Sequence, residues 1–389
     1  MSSTHQIDGH TLTLLRNGEE YFPRLIAAID SATQSIYLET YIFATDGTGR
    51  AVSDALQRAA QRKVAVHLLL DGFGAADLPQ TWVDELRAAK VEVLWFRKEV
   101  GRFSLRRYHL RRLHRKLTVI DQRMAFVSGI NINDDIPGGA VTAPRLDYTV
   151  LVEGEVVAQI YTAMRRLWTL VSWANLRRHR EHAPSLSAPQ HSKPRNVIFL
   201  VRDNLGHRRD IEQAYLQAIA DAQHDIIIAN AYFLPGRRLR HALLHARRRG
   251  VRVVLLLQGQ VEYRLQHYAT LALYGQLLEA GMEIYEYHAS FMHAKVAVID
   301  GYWSTVGSSN IDPFSLWLAR EANLVVRDAQ FATALHSSLM QEIEHNCRPV
   351  SHSVWREHGW VTRLLMRISY ASVRFLTGVI GYARGYDDI

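Results

Sequence analysis

The stretch "HRKLTVID" at residues 114–121 returns as "HAKVAVID" at residues 293–300. The asparagine seventeen residues past each histidine returns with it, as Asn131 and Asn310. Two further segment pairs keep the same order: "ATQSIYLETYIF" (32–43) with "AQHDIIIANAYFL" (222–234), and "VAVHLLLDG" (64–72) with "VRVVLLLQG" (251–259). Ordered self-similarity of this kind means one structural unit built twice, so the chain reads as a tandem duplication. Whatever fold the first half adopts, the second must adopt too.

Each half runs from an apolar β-rich segment through an Arg- and Ala-rich helix ("GRAVSDALQRAAQRK", "RRLRHALLHARRRG") to a second apolar strand. Another helix follows ("TWVDELRAAK", "LALYGQLLEAG"), then the polar-headed strand. Strands alternating with helices predict an α/β fold whose mixed sheets are covered on both faces. A length of 389 residues leaves room for two such cores. The expected domains are residues 1–176 and 196–348, joined by a Pro- and Ser-containing linker at 177–195 and followed by a segment at 349–389. Packing about a pseudo-twofold axis would bring the repeated motifs together at the interface.

A formal charge of +8 and a pI near 9.6 favour an anionic partner, nucleic acid or an acidic lipid surface. Cys347 is the only cysteine, so neither an internal disulfide nor a thiolate metal cluster can form. The opening "MSSTHQIDGHTLTLL" has no basic leader and no long apolar core, so no secretory signal is expected. Nor is there a run of about twenty apolar residues fit to cross a bilayer.

In the repeated strand, alternation puts His114 and Lys116 on one face, and His293 and Lys295 likewise. Only six lysines occur in the chain, and two of them fill this one slot. Two imidazoles can divide labour, one neutral as nucleophile and one protonated as general acid. Lysine and asparagine donors suit the charged oxygens of a phosphoryl group in its transition state. No acidic cluster of metal-ligand character accompanies them, so phosphodiester chemistry without a metal or other cofactor is the expectation.

The paired H-x-K-x-x-x-x-D motifs, followed by "SGIN" and "GSSN", resemble the phospholipase D superfamily over nearly the whole chain. The segments "LLRNGEEYFPRL", "IYLETYIF", "LLLDGFG", "IIIANAYFLPG" and "VGSSNIDPFSL" resemble, within it, the bacterial cardiolipin synthases of the B type. The resemblance implies two phospholipase D-like α/β/α sandwich domains with the active site between them. It also implies transfer of a phosphatidyl group between two phosphatidylglycerol molecules through a phosphatidyl-histidine, giving cardiolipin and glycerol. By the same resemblance His114 is the nucleophile and His293 the acid and base. Lys116, Lys295, Asn131, Asn310 and Ser308 would grip the phosphate. Asp121 and Asp300 complete the catalytic motifs, more as braces than as reactants. Ser308 faces Gly129 in the first copy, which argues against serine being essential in both halves. Asp147 and Glu321 either orient the imidazoles or are ordinary solvated charges.

Two segments lie outside the repeat. "GRFSLRRYHLRRLHRK" (101–116) is read either as a cationic rim for lipid phosphates or as a solvated loop. In "WVTRLLMRISYASVRFLTGVIGYARG" (360–385), Arg363, Arg367 and Arg374 share a helical face opposite Leu364, Ile368 and Phe375. That pattern predicts an amphipathic helix lying on an anionic membrane, rather than one packed on the core. The expected partners are phosphatidylglycerol and the membrane surface, with no nucleic acid, and the expected location is peripheral, on the cytoplasmic side of a bacterial inner membrane. The alternatives are a phospholipid hydrolase of the same superfamily, a nuclease, and a silent lipid-binding protein.

Overall fold

The computed structural model describes residues 3–98, 111–136, 143–174, 195–203, 206–261, 264–312, 319–352 and 359–382. Among these, the first half contributes β1 (Ser3–Ile7), β2 (His10–Arg16), β3 (Ser35–Thr40), β4 (Ala65–Asp71), β5 (Glu92–Phe96), β6 (Arg112–Leu113), β7 (Lys116–Ile120), β8 (Met124–Ser128) and β9 (Tyr148–Glu153). The second contributes β10 (Val197–Arg202), β11 (Asp225–Asn230), β12 (Arg252–Gln258), β13 (Glu283–Tyr287), β14 (Lys295–Ile299), β15 (Trp303–Gly307), β16 (Ala319–Arg327) and β17 (Cys347–Pro349).

The first sheet is ordered β1-β2-β9-β8-β7-β3-β4-β5 and the second β10-β16-β15-β14-β11-β12-β13-β17. Without the edge strands β1 and β17 the two orders are the same. Within each, β3-β4-β5 and β11-β12-β13 are parallel. The motif strands join antiparallel, as β7 does to β3 and β14 to β11, so both sheets are mixed. The motif strands are central and buried along their whole length, which explains why KLTVI and KVAVI lack a polar face after the lysine.

Helices cover both faces of each sheet. Asn17–Ser31, Gly47–Gln61 and Gln80–Ala88 bury one face on the outside of the first sheet. Asp210–Asp221, Arg237–Arg248 and Arg264–Glu279 do the same for the second. Between the halves, Val156–Ala174 and Ala329–Asn346 join a single apolar cluster that takes in Ile7 and Val150 of one half and Val197 and Leu324 of the other. The halves thus share a core.

The carboxy-terminal helix, Trp360–Tyr382, packs on the second half and is not a detached amphipathic helix. Met366, Ser369 and Val373 are buried, and the Tyr370 hydroxyl accepts a hydrogen bond from Arg240 Nη1 at 3.0 Å. Yet Leu364, Ile368 and Phe375 stay outward, 48%, 53% and 71% exposed, so the helix has a second apolar face that the core does not use. The expected linker, through residue 194, and residues 101–110 of the basic insertion lie outside the described residues.

Asp121 and Asp300 end the motif strands at their far ends, each in a left-handed turn with φ of 50° and 51°. Asp121 accepts main-chain N–H bonds from Thr33, Gln34 and Ser35, and Asp300 from Gln223, His224 and Asp225, at 2.7 to 3.0 Å. These carboxylates tie the strand end to the start of its neighbour, a local role that tolerates αL backbone because Asp bonds to nearby amides. They stand a strand's length from the histidines, so their place in the repeated motif is a structural one. Asp121→Ala is expected to lower unfolding stability by about 1–2 kcal/mol, measured by denaturant titration, while turnover per folded molecule follows the parent chain.

Candidate active site

Main-chain pairing across the halves builds the site. β6, just before the first motif, runs parallel to the start of β16, pairing Leu113 with Arg320, and His114 N–H donates to Arg320 O at 3.0 Å. The mirror contact joins Leu146 to Met292, where His293 N–H donates to Leu146 O at 2.8 Å. Each histidine is thereby set beside the residue that follows its pairing partner in the other half. His114 Nδ1 lies 3.0 and 3.1 Å from the two carboxylate oxygens of Glu321. His293 Nδ1 lies 2.7 Å from Asp147 Oδ2. Asp147 and Glu321 occupy equivalent places, since Gly129 N–H donates to Tyr148 O and Ser308 N–H to Ala322 O. Both acids, read from the sequence as supporting candidates only, are buried partners of the opposite histidine.

A carboxylate at Nδ1 favours the Nδ1–H tautomer and leaves the Nε2 lone pair for chemistry, most directly at His114, because at His293 Lys295 Nζ also lies 2.6 Å from Nδ1. Burial lowers the affinity of both rings for a proton, and the nearby lysines lower it further for His293, which falls well below the ordinary histidine range. The lysines themselves are buried. Lys116 Nζ donates to His114 O at 2.8 Å, and Lys295 Nζ lies 3.5 Å from Asp147 Oδ2 and also contacts the main chain of His293. Desolvation, with Lys295 as a like charge, brings Lys116 down to about 7. Asp147 is pushed up to about 6 by burial, against the pull of Lys295. Burial would also raise Glu321, but His114, Arg202 and Lys116 outweigh it and hold this carboxyl below its ordinary value.

The two halves differ where the acids sit. Ser308 Oγ donates to Glu321 Oε2 at 2.6 Å, so its hydroxyl braces the acid and is not a phosphate grip. In the first half a Cβ at position 129 would come within 2.3 Å of Asp147 Oδ1, so only glycine leaves room for the carboxylate there. The Ser-for-Gly difference is therefore a fit to the acid each half carries. Asn131 and Asn310 are buried beside the motifs; Asn131 Oδ1 accepts the Ile42 N–H at 3.3 Å, and Asn310 Oδ1 has no partner among the described residues.

Sequence reasoning passed over Arg202, Tyr41 and Arg145. Arg202 is buried, donates to Ala319 O at 3.2 Å and supports the ionised Glu321; its signal was an arginine closing the apolar run "VIFLVR". The Tyr41 ring lies 5.0 Å from that of His114 and 5.5 Å from Lys116 Nζ. Arg145 adds positive potential at His293. Two part-buried imidazoles, each with a carboxylate of the other half at Nδ1 and flanked by two ammonium groups, can carry out nucleophilic displacement at an anionic phosphodiester with proton transfer.

Two expectations follow. The dependence of kcat/KM on pH should fall above about pH 7, as Lys116 loses its proton and the phosphate loses one of its two cations. Gly129→Ala should displace Asp147 from His293, lower the melting temperature and cost on the order of a hundredfold in turnover per folded molecule, with the folded fraction read by circular dichroism.

A family profile described as "Cardiolipin synthase, PLD-like domain" matches residues 25–168 and 215–343, one segment in each half. The chain is 37% identical to cardiolipin synthase B of Salmonella typhimurium, over 96% of this chain and 90% of that one. It is 36% identical to cardiolipin synthase B of Escherichia coli (strain K12), with the same coverage. In fold it is similar to the crystal structure of phosphatidylserine synthase from Haemophilus influenzae Rd KW20, with a TM-score of 0.70 at 16% identity, over 97% of this chain and 96% of that one. The repeated motifs, the interface between the halves and these likenesses agree, and the chain belongs to the cardiolipin synthase family of phospholipase D-like proteins.

Proposed function

We infer that this chain is a phosphatidyltransferase that makes cardiolipin from two phosphatidylglycerol molecules. The observation that carries the reading is the crosswise pairing of each motif histidine with a buried acid of the other half. His114 Nε2 attacks the phosphorus, the bond to the headgroup glycerol breaks, and His293 gives its Nε2 proton to the leaving oxygen. The headgroup hydroxyl of a second phosphatidylglycerol then returns that proton to His293 and attacks phosphorus, releasing His114. One phosphodiester replaces another, so the exchange needs no nucleotide.

The assignment of roles is supported by the difference between the acids. Attack leaves a cationic phosphoryl-imidazole, and Glu321, held ionised beside Arg202 and Ser308, is the better counter-charge. His293 must carry a proton during the first step; the phosphodiester anion, arriving between Lys116 and Lys295, offsets the two charges that otherwise disfavour it. Lys116, Lys295, Asn131 and Asn310 stand as the phosphate grip.

Both lipids reside in a bilayer, and among the described residues no helix is long and apolar enough to cross one. The outward face of Trp360–Tyr382 supports peripheral attachment: Leu364, Ile368 and Phe375 recur at helical spacing, next to the exposed Arg367. That face suits an anionic, phosphatidylglycerol-bearing membrane surface, and the cytoplasmic side remains the expectation drawn from the family resemblance.

Phosphatidylglycerol vesicles incubated with the protein should yield cardiolipin and free glycerol in equal amounts; phosphatidic acid alone would identify a hydrolase, and DNA cleavage without lipid turnover a nuclease. Trapped phosphatidyl label should sit on His114 and vanish in His114→Ala, whereas label on His293 would reverse the roles. Because Met366 and Val373 belong to the core, attachment is better tested by Ile368→Asp with Phe375→Asp than by truncation. That pair should weaken vesicle binding by about 3 kcal/mol or more in co-sedimentation, with turnover of short-chain soluble lipid much less affected.

A further inference from the structure

Tyr41 directly follows β3 and sits half-buried at the first motif. Its ring centroid lies 5.0 Å from that of His114, at an interplanar angle of 58°, and Lys116 Nζ stands over the ring at 5.5 Å from its centroid. Both groups are within the roughly 6 Å over which an aromatic face attracts a cation. The ring is seated on the main chain of Gly74, where a Cβ would come within 2.7 Å of Tyr41 Cδ2 and Cε2. Gly74 N–H and Leu113 N–H donate to the two oxygens of Asp71, at 3.0 and 2.6 Å. One buried carboxylate thus ties the seat of the ring to the residue just ahead of His114.

The second half does not repeat the feature. Register makes Ala231 the counterpart of Tyr41, since Thr40 pairs with Leu70 and Asn230 with Leu257. The seat changes with the ring: "LLLDGFG" becomes "LLLQGQV", which puts Val261 in the place of Gly74. A large ring on a glycine in one half is a small side chain beside a valine in the other. The aromatic wall therefore stands at His114, and the equivalent position offers none to His293.

A neutral imidazole gains little electrostatically from an aromatic neighbour, but attack changes its charge. When His114 Nε2 bonds to phosphorus and Nδ1 keeps its proton toward Glu321, the ring becomes a cation. An attraction that grows with that charge acts on the transition state and the intermediate, and not on the bound lipid. We propose that Tyr41 is a positioning residue for the nucleophile: its face walls the His114 imidazole beside Lys116 and stabilises the cationic phosphatidyl-imidazole. The assignment rests on the phosphatidyl-transfer reading given above, and it adds a physical reason for the first histidine, and not the second, to bond to phosphorus.

The test is single-turnover labelling of the full chain by vesicles of phosphatidylglycerol with labelled acyl chains, quenched in acid and counted per folded molecule by circular dichroism. Tyr41→Leu should label about tenfold more slowly than the parent, with the half-saturating lipid concentration unchanged. Tyr41→Phe, which returns the aromatic face without the hydroxyl, should restore most of the rate. Equal rates in Tyr41→Leu and the parent overturn the assignment, and so does an equal loss in both variants, which would give the role to the hydroxyl. A parent that forms cardiolipin but carries its label on His293 overturns it too, while transfer itself stands. If the parent takes up no label and forms no cardiolipin, the transfer reading fails and the assignment with it.

Discussion

Two imidazole–carboxylate bonds, His114 to Glu321 and His293 to Asp147, join the halves and define the site in one act. Each acid has partners in its own half, the Ser308 hydroxyl for Glu321 and the Tyr148 N–H for Asp147, and the imidazole of the other half completes its pairing. The crossing strand contacts at Leu113–Arg320 and Leu146–Met292 put main chain behind each bond, so the imidazoles are aimed by backbone and not by flexible side chains. Interface and active site are the same object. A loss of packing between Val156–Ala174 and β10 would therefore reach the chemistry through the register of these strands.

The scaffold is symmetric but the chemistry is not. Burial acts on both rings and both lysines alike, and the differences come from a few side chains: Glu321 against Asp147, Ser308 against Gly129, and Arg202 behind only one of the acids. A two-step transfer needs that asymmetry, because one imidazole must bond to phosphorus while the other handles a proton. Duplication supplies two equivalent positions, and small substitutions around them separate the roles.

Much of this was legible in the chain. The repeat gave the fold, and the order of strands and helices matched the sheets because periodicity is a local property. His114, Lys116, His293 and Lys295 could be picked out because a polar head on an apolar strand has no packing reason to exist. Other readings depended on distance and could not be settled that way. Asp121 and Asp300 recur as faithfully as the histidines, yet they recur to tie a turn to the next strand. Ser308 looked like a phosphate donor until its hydroxyl was seen on Glu321. The carboxy-terminal helix has apolar residues on two faces, and a single helical wheel shows that they exist without showing that Met366 and Val373 face the core and Ile368 and Phe375 do not.

The sequence by itself determined that the protein is a duplicated α/β chain with one His–Lys pair per copy, because alternation and repetition are written along the backbone. Which acid stands behind which histidine was decided only in three dimensions. Asp147 lies 146 residues from His293, and Glu321 lies 207 from His114, so no local pattern links them. Strand pairing between the halves makes the link, and it does so crosswise because a twofold arrangement sets the end of each motif's lead-in against the other copy.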